Sequence, residues 1–330
     1  MANTVLVIGA TGGIGGAVAQ AFLDQGWQVR ALTRQLRATT PAGLQKIEWR
    51  VGDAMNQSDV VNAAQGVDCI FHGANPPRYA HWRELALPML AHSIEAARIS
   101  GARLIFPGNV YNFGPNAWPL VNEQSPQHPA TRKGAVRVEM EQMLQWAAQT
   151  QGVRSLVVRA GDFFGGHSPS SWFSTLMTKP GRPLRSVTFP GESEVGHAWA
   201  YLPDLARTIV RLAHVQSSLP VFDTFHFGGH WTPRGIDMAE SIRRVSGDPG
   251  LPIKALPWWL VQLASPLVPL LREILEMRYL WQVPLRLDNR KLLALMGEEP
   301  HTPIDDAVRQ SLREMACLPA PAFKGMAART

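Results

Sequence analysis

Thr4-Val5-Leu6-Val7-Ile8-Gly9-Ala10-Thr11-Gly12-Gly13-Ile14-Gly15-Gly16, running on into Ala17-Val18-Ala19-Gln20-Ala21-Phe22-Leu23, is the stretch that decides the fold. An apolar run without polar alternation describes a strand buried on both faces, and glycines 9, 12 and 15 then turn the chain tightly into a helix. Gly9 lets the backbone reverse, Gly12 lets it approach a pyrophosphate, and Gly15 lets helix and strand pack closely. The amides left unpaired at the helix N-terminus face the anion. The spacing is GxxGxxG, a variant of the commoner GxGxxG, and strand, turn and helix together predict dinucleotide binding.

The second strand, around residues 27–33, predicts which dinucleotide. About 20 residues past the glycines, an acid would take the ribose 2′-hydroxyl of NAD and an arginine the 2′-phosphate of NADP. The residue there is Arg34, with Arg37 close behind and no acid nearby, so the reading is NADP rather than NAD.

The chain of 330 residues is long enough for a large α/β core with a smaller attached lobe. Its net charge of +6 comes from scattered arginines, suits an anionic cofactor or substrate, and lacks the clustered basic and aromatic face of a nucleic-acid binder. The two cysteines, Cys69 and Cys317, form no CxxC pair and fit a reducing cytoplasm. The first strand begins at about residue 4, where a signal peptide would have to lie, which again points to the cytoplasm.

Further along, residues 46–51 read as a third strand ending at Gly52-Asp53-Ala54, where Asp53 can reach the adenine edge or cap the next helix. A helix at 58–64 leads to a fourth strand at 67–71, and Gly73-Ala74-Asn75 at its carboxyl end lets a cofactor approach the backbone. Pro76-Pro77 stops any helix there. A long helix at 82–100, a strand at 103–106, an active-site loop at 107–115, a helix at 133–149 and a strand at 154–159 complete the alternation. The pattern predicts a doubly wound parallel sheet of Rossmann type. Residues 197–206 read as a return to that sheet, as does a short strand at 222–229. The expected division is therefore a nucleotide domain of 1–160 plus about 197–228, with a smaller, discontinuous lobe from about 161–196 plus 229–330. The apolar run 255–271 is short for a membrane span and broken by Pro257, Pro266 and Pro269. Interfacial membrane contact through its paired tryptophans stays open beside a helical lid or subunit contact, and a homodimer stays open too. Residues from about 319 look frayed.

Gly9-Ala10-Thr11-Gly12-Gly13-Ile14-Gly15, Gly52-Asp53, Gly73-Ala74-Asn75, Val110-Tyr111 and Tyr201-Leu202-Pro203-Asp204-Leu205-Ala206 together resemble the short-chain dehydrogenase/reductase superfamily. The likeness is to its extended or atypical branch of NAD(P)-dependent epimerases, dehydratases and reductases. It implies that Thr11, Gly12, Gly13 and Ile14 wrap the pyrophosphate and that substrate lies between the sheet edge and the lobe. The family's YxxxK motif falls on Lys133-Gly134-Ala135-Val136-Arg137, so its tyrosine is Lys133 and its lysine Arg137 here. The family's serine or threonine falls on or beside Pro107-Gly108-Asn109. Arg137 can hold ribose or phosphate but cannot trade protons near neutral pH. Lys133 is the candidate acid or a surface lysine at a helix start. Tyr111 is a second donor or a packing residue beside the cofactor, and Asn109 can orient the substrate oxygen.

His226 and His230 are separated by glycines that exclude a helical metal pair, and no metal is expected. His197 reads as a core or capping histidine before it reads as one pointing into the cleft. The leading function is thus an NADP-dependent oxidoreductase or epimerase/dehydratase-like enzyme for a small carbonyl or hydroxyl compound, with a non-standard catalytic site. The alternative is a catalytically silent NADP(H)-binding sensor; a scaffold without nucleotide would need neither the glycine turn nor Arg34.

Overall fold

The computed structural model describes residues 2–36, 43–76, 82–166, 168 and 171–318, so Arg37, Pro77 and the chain end after 318 lie outside the described residues. The first half alternates as its sequence pattern requires: β1 (Thr4–Ile8), α1 (Gly13–Asp24), β2 (Gln28–Thr33), β3 (Glu48–Val51), α2 (Gln57–Ala63), β4 (Cys69–His72), α3 (Trp82–Ser100) and β5 (Arg103–Gly108). A short β6 (Leu120–Val121) precedes α4 (Arg132–Gln151) and β7 (Ser155–Arg159). Next come β8 (Asp162–Phe164), β9 (Val187–Phe189), β10 (His197–Tyr201), α5 (Leu202–His214), β11 (Phe222–His226), β12 (His230–Thr232) and α6 (Asp237–Ser246). The chain closes with β13 (Ile253–Ala255), α7 (Trp258–Ala264), α8 (Pro269–Glu276), β14 (Arg286–Leu287), α9 (Arg290–Met296) and α10 (Ile304–Glu314).

Seven strands form one sheet in the order β11-β7-β5-β4-β1-β2-β3, every pairing parallel. This is a doubly wound Rossmann-type sheet whose order reverses at β1, which puts a crevice between the carboxyl ends of β1 and β4. Successive side chains of β1 serve opposite layers. Val5 and Val7 pack with Phe22 of α1 and Leu205 and Ile209 of α5, while Leu6 and Ile8 pack with Leu90 and Ile94 of α3 and Leu144 of α4. None of the four is more than 1% exposed, and each contributes about 1.5–3 kcal/mol.

One expectation is corrected. Residues 197–201 form a strand, but β10 does not return to the main sheet; it lies between β8 (parallel) and β12 (antiparallel) in a separate three-stranded sheet. The place beside β7 is taken by β11, and β8, two residues past β7, carries the chain away from the sheet edge. The side chains of β10 also suit a dividing wall. Ala200 packs in the core beneath α1 and α5, whereas Trp199 and Tyr201 fill a third core with Phe164, Phe173, Phe189, Leu280 and Trp281. The 255–271 run is two short helices, with Pro269 in the first turn of α8, where its missing N–H leaves no bond unmade.

Candidate active site

The turn after β1 is as tight as its glycines allow. Gly9 has φ +92°, and a Cβ there would lie 2.7 Å from the Gly73 carbonyl carbon. A Cβ on Gly15 would stand 2.1 Å from the Gly9 oxygen. The loop after β4, Gly73 and Ala74, is therefore packed directly against the turn, and Asn75 beyond it is exposed. α1 begins at Gly13 with Gly12 as an N-cap that has no side chain to close the first turn, and no acid lies in that turn. Thr11 and Gly12 are exposed, while Gly13 and Ile14 are partly so. The first amides of a twelve-residue helix thus face open space at the switch point, which is the arrangement that receives a diphosphate.

Arg34 stands exposed one residue past β2 and makes no ion pair or hydrogen bond among the described residues. Asp53 does not cap α2: Asn56 does, accepting from the Ser58 N–H at 3.0 Å. The Asp53 Oδ1 accepts from the Met55 N–H at 2.9 Å, which fixes the carboxylate at the end of β3, and the Ala54 carbonyl meets Nδ1 of His92 at 2.9 Å.

At the carboxyl end of β5, Asn109 and Tyr111 lie against the start of α4, whereas the Lys133 ammonium is held by α8. Asn109 accepts the Tyr111 N–H on its Oδ1 at 3.0 Å. A Cβ on Gly134 would stand 2.2 Å from the Tyr111 carbonyl oxygen, so loop and helix touch through backbone. Arg137 donates to the Pro107 carbonyl at 3.3 Å, its guanidinium 5.1 Å from the Trp82 ring centroid and 5.3 Å from that of Phe106. Lys133 is 5% exposed, and its ammonium pairs with Glu273 and lies 3.6 Å from Glu276, both on α8. Glu276 also accepts the Arg132 N–H at 2.8 Å, so α8 closes the first turn of α4 from outside.

His197, read from sequence as a core or capping histidine before a cleft one, pairs with Asp162, which sequence reasoning passed over. The His197 Nε2 meets the Asp162 Oδ2 at 2.8 Å, with both side chains under a tenth exposed, and the imidazole stacks on Trp281 at 4.0 Å and 8°. Together with Val110, Ala198, Leu280 and Leu285 they line a cavity of about 10 Å³. That is about the space of one water, so the segment after α8 lies closed on the loop after β5. Only the apolar and aromatic character of 278–285 hinted at this in the sequence.

The profile of the NAD dependent epimerase/dehydratase family matches residues 5–226. The chain belongs to that family. Over 86 residues it is 38% identical to a putative dihydroflavonol 4-reductase of Synechocystis sp., a match covering 26% of this chain and 24% of that protein. Over 84 residues it is 31% identical to the decarboxylating sterol-4-alpha-carboxylate 3-dehydrogenase of Mus musculus, covering 26% and 22% respectively. The chain thus spans about a quarter of the length of these curated relatives. A crystal structure of UDP-glucose 4-epimerase from Brucella ovis in complex with NAD superposes with a TM-score of 0.74 at 17% identity, covering 95% of this chain and 98% of that one. That likeness shows the fold. Membership places residues 5–226 in a family described as NAD dependent epimerases and dehydratases.

Beneath the site this family member carries a buried polar network. Arg159, at the end of β7, is 2% exposed and meets Glu141 of α4 at 2.5 and 3.1 Å and His226 of β11 at 3.1 Å. Gln127 donates to Glu141 at 3.2 Å and accepts from Asn112 at 2.9 Å, which ties the loop after β5 to the network. Burial, aided by the Arg159 charge, pushes His226 down to about 3. Burial beside Arg137 does the same to His72, whose Nδ1 meets Ser93 Oγ at 2.7 Å. Both values lie below the free-histidine value of about 6.5, so in mild acid the unfolded chain binds protons the folded chain refuses. Their contribution is complete above about pH 6.5 and shrinks as pH falls towards 3. The melting temperature should decline between pH 6.5 and 5, before most carboxylates titrate; a flat profile there would contradict neutral burial of both rings.

Proposed function

We propose that this enzyme is an NADP-dependent reductase, or an epimerase-like oxidoreductase, acting on a small carbonyl or hydroxyl compound. The observation that carries the reading is the open N-terminus of α1 together with an exposed Arg34 that makes no ion pair or hydrogen bond among the described residues. Thr11, Gly12, Gly13 and Ile14 would hold the diphosphate, Arg34 the 2′-phosphate, Asp53 and Ala54 the adenine side, Gly73, Ala74 and Asn75 the cofactor's approach to β4, and Arg137 the ribose. NADPH bound there would supply a hydride.

The remaining work falls to the chain's own side chains. Lys133 donates the proton to the substrate oxygen, and Glu273, whose side chain is 25% exposed, connects the ammonium to solvent for reprotonation. The Nδ2 of Asn109 and the Tyr111 phenol orient that oxygen. The lobe built from about 161–196 and 229–330 closes over the nicotinamide end, and its wall of Leu280, Trp281 and Leu285 favours an apolar, ring-bearing substrate. The names of the two curated relatives support the same class. Two buried cysteines without a bridge support a reducing compartment.

Arg34→Asp should weaken NADP binding by about 1–3 kcal/mol and spare NAD, since it removes a charge-assisted contact to one phosphate alone. Titrations of both cofactors on wild type and variant test this, and equal wild-type affinity for the two would refute the NADP assignment. A carbonyl screen with NADPH tests the activity. The engagement of Lys133 by carboxylates favours a second reading, a silent NADP(H) sensor, which tight NADPH binding with no turnover on any carbonyl would establish.

A further inference from the structure

The large apolar side chains that stand exposed elsewhere are scattered, but six crowd into α7, α8 and their link: Trp259, Leu260, Leu263, Leu267, Val268 and Leu270. Trp259 is 67% exposed, Leu263 72% and Leu267 86%, values more typical of charged surface residues. The flanking charges are one-sided. Lys254, just before α7, and Arg272, on α8, are exposed and make no ion pair among the described residues. The acids of α8, Glu273 and Glu276, pair instead with Lys133 of α4.

We propose that the α7–α8 hairpin is a docking surface for an anionic lipid bilayer. No helix among the described residues is long and apolar enough to cross a membrane, so the contact is interfacial. Apolar side chains enter the boundary between headgroups and acyl chains, Lys254 and Arg272 meet the anionic headgroups, and the Trp259 indole suits that depth. Trp258 beneath it is fixed to the body of the lobe by an indole N–H bond to the Pro190 carbonyl at 2.7 Å, so the hairpin is anchored on its inner side. A second copy of the chain fits the same face poorly. A two-fold contact through the hairpin would bring the Lys254 and Arg272 of both copies into one interface with no acid of the hairpin free to pair them. The docking is independent of what the active site reduces.

Flotation of the full chain with phosphatidylcholine vesicles, with and without phosphatidylserine, tests this. The protein should float with the phosphatidylserine vesicles alone, and less as salt rises. The triple change Trp259→Ser, Leu263→Ser, Leu267→Ser should lower the partition coefficient by about 100-fold or more, and should leave the melting temperature unchanged because all three side chains are exposed. Lys254→Glu with Arg272→Glu should abolish the preference for phosphatidylserine. Wild type that stays at the bottom of the gradient with both vesicles overturns the proposal. So does sedimentation showing a wild-type dimer that the triple change makes monomeric without altering flotation, since a second copy would then be the occupant.

Discussion

Lys133→Met should lower turnover by about 10²–10⁴-fold while leaving NADP affinity nearly unchanged, because it removes the ammonium that the proposed mechanism uses as its proton donor. Lys133 has a proposed task and an observed one, and the measurements must separate them. Besides the proton transfer proposed for it, it is the buried partner of Glu273 and Glu276, so its loss loosens α8 on α4. A loosened α8 would raise KM, whereas a missing acid lowers kcat. Glu276→Gln tests the first effect alone, since it weakens the tether and keeps both the ammonium and its Glu273 path to solvent. Tyr111→Phe, run beside them, removes the phenol that the loop after β5 offers as a second proton donor. Full kcat in Lys133→Met would take the residue out of the mechanism.

Glu141→Ala should destabilise the fold by about 3–5 kcal/mol, the penalty for leaving one member of a buried ion pair uncompensated. Arg159 cannot shed its charge, and at 2% exposure it cannot reach water without moving. The same substitution takes from Gln127 its acceptor and so loosens the tie to Asn112 in the loop that carries Asn109 and Tyr111. Urea unfolding followed by far-UV circular dichroism measures the loss. A change below about 1 kcal/mol would show that the guanidinium finds other partners and that the network does not hold the loop. Glu141→Gln keeps an acceptor for Gln127 and should restore part of the stability.

The sheet was legible because its determinants are local. Val5 to Ile8 announce a strand covered on both faces, Gly9 to Gly15 announce the turn, and the start of α4 was expected within one residue. The position of Arg34 was equally readable, since it depends only on counting along one strand. What the sequence hid depends on contacts between distant segments. Asp162 and His197 are 35 residues apart and meet because β8 and β10 run side by side, a pairing that the apparent return to the main sheet concealed. Lys133 and Glu273 are 140 residues apart, and nothing in the apolar run before Glu273 shows that its first acid folds back onto α4. The function of α7–α8 was ambiguous for the same reason: periodicity shows that a segment is apolar, and only packing shows which side is left uncovered.

The double-sided strand β10 has a consequence for anyone recombining enzymes of this kind. Substrate lobes look like cassettes that could be exchanged on a constant nucleotide-binding frame. Here one five-residue segment supplies Ala200 to the frame and Trp199 and Tyr201 to the lobe, so the two are spliced at the level of single side chains. A chimera with its junction inside 197–201 would inherit mismatched halves on both sides of the seam. Crossovers belong in the exposed link at 192–194 before β10 and, because α5 follows β10 without a break, in the exposed stretch around 214–218 after α5, with β10 taken whole from the parent that donates the lobe and position 200 kept small to suit the frame.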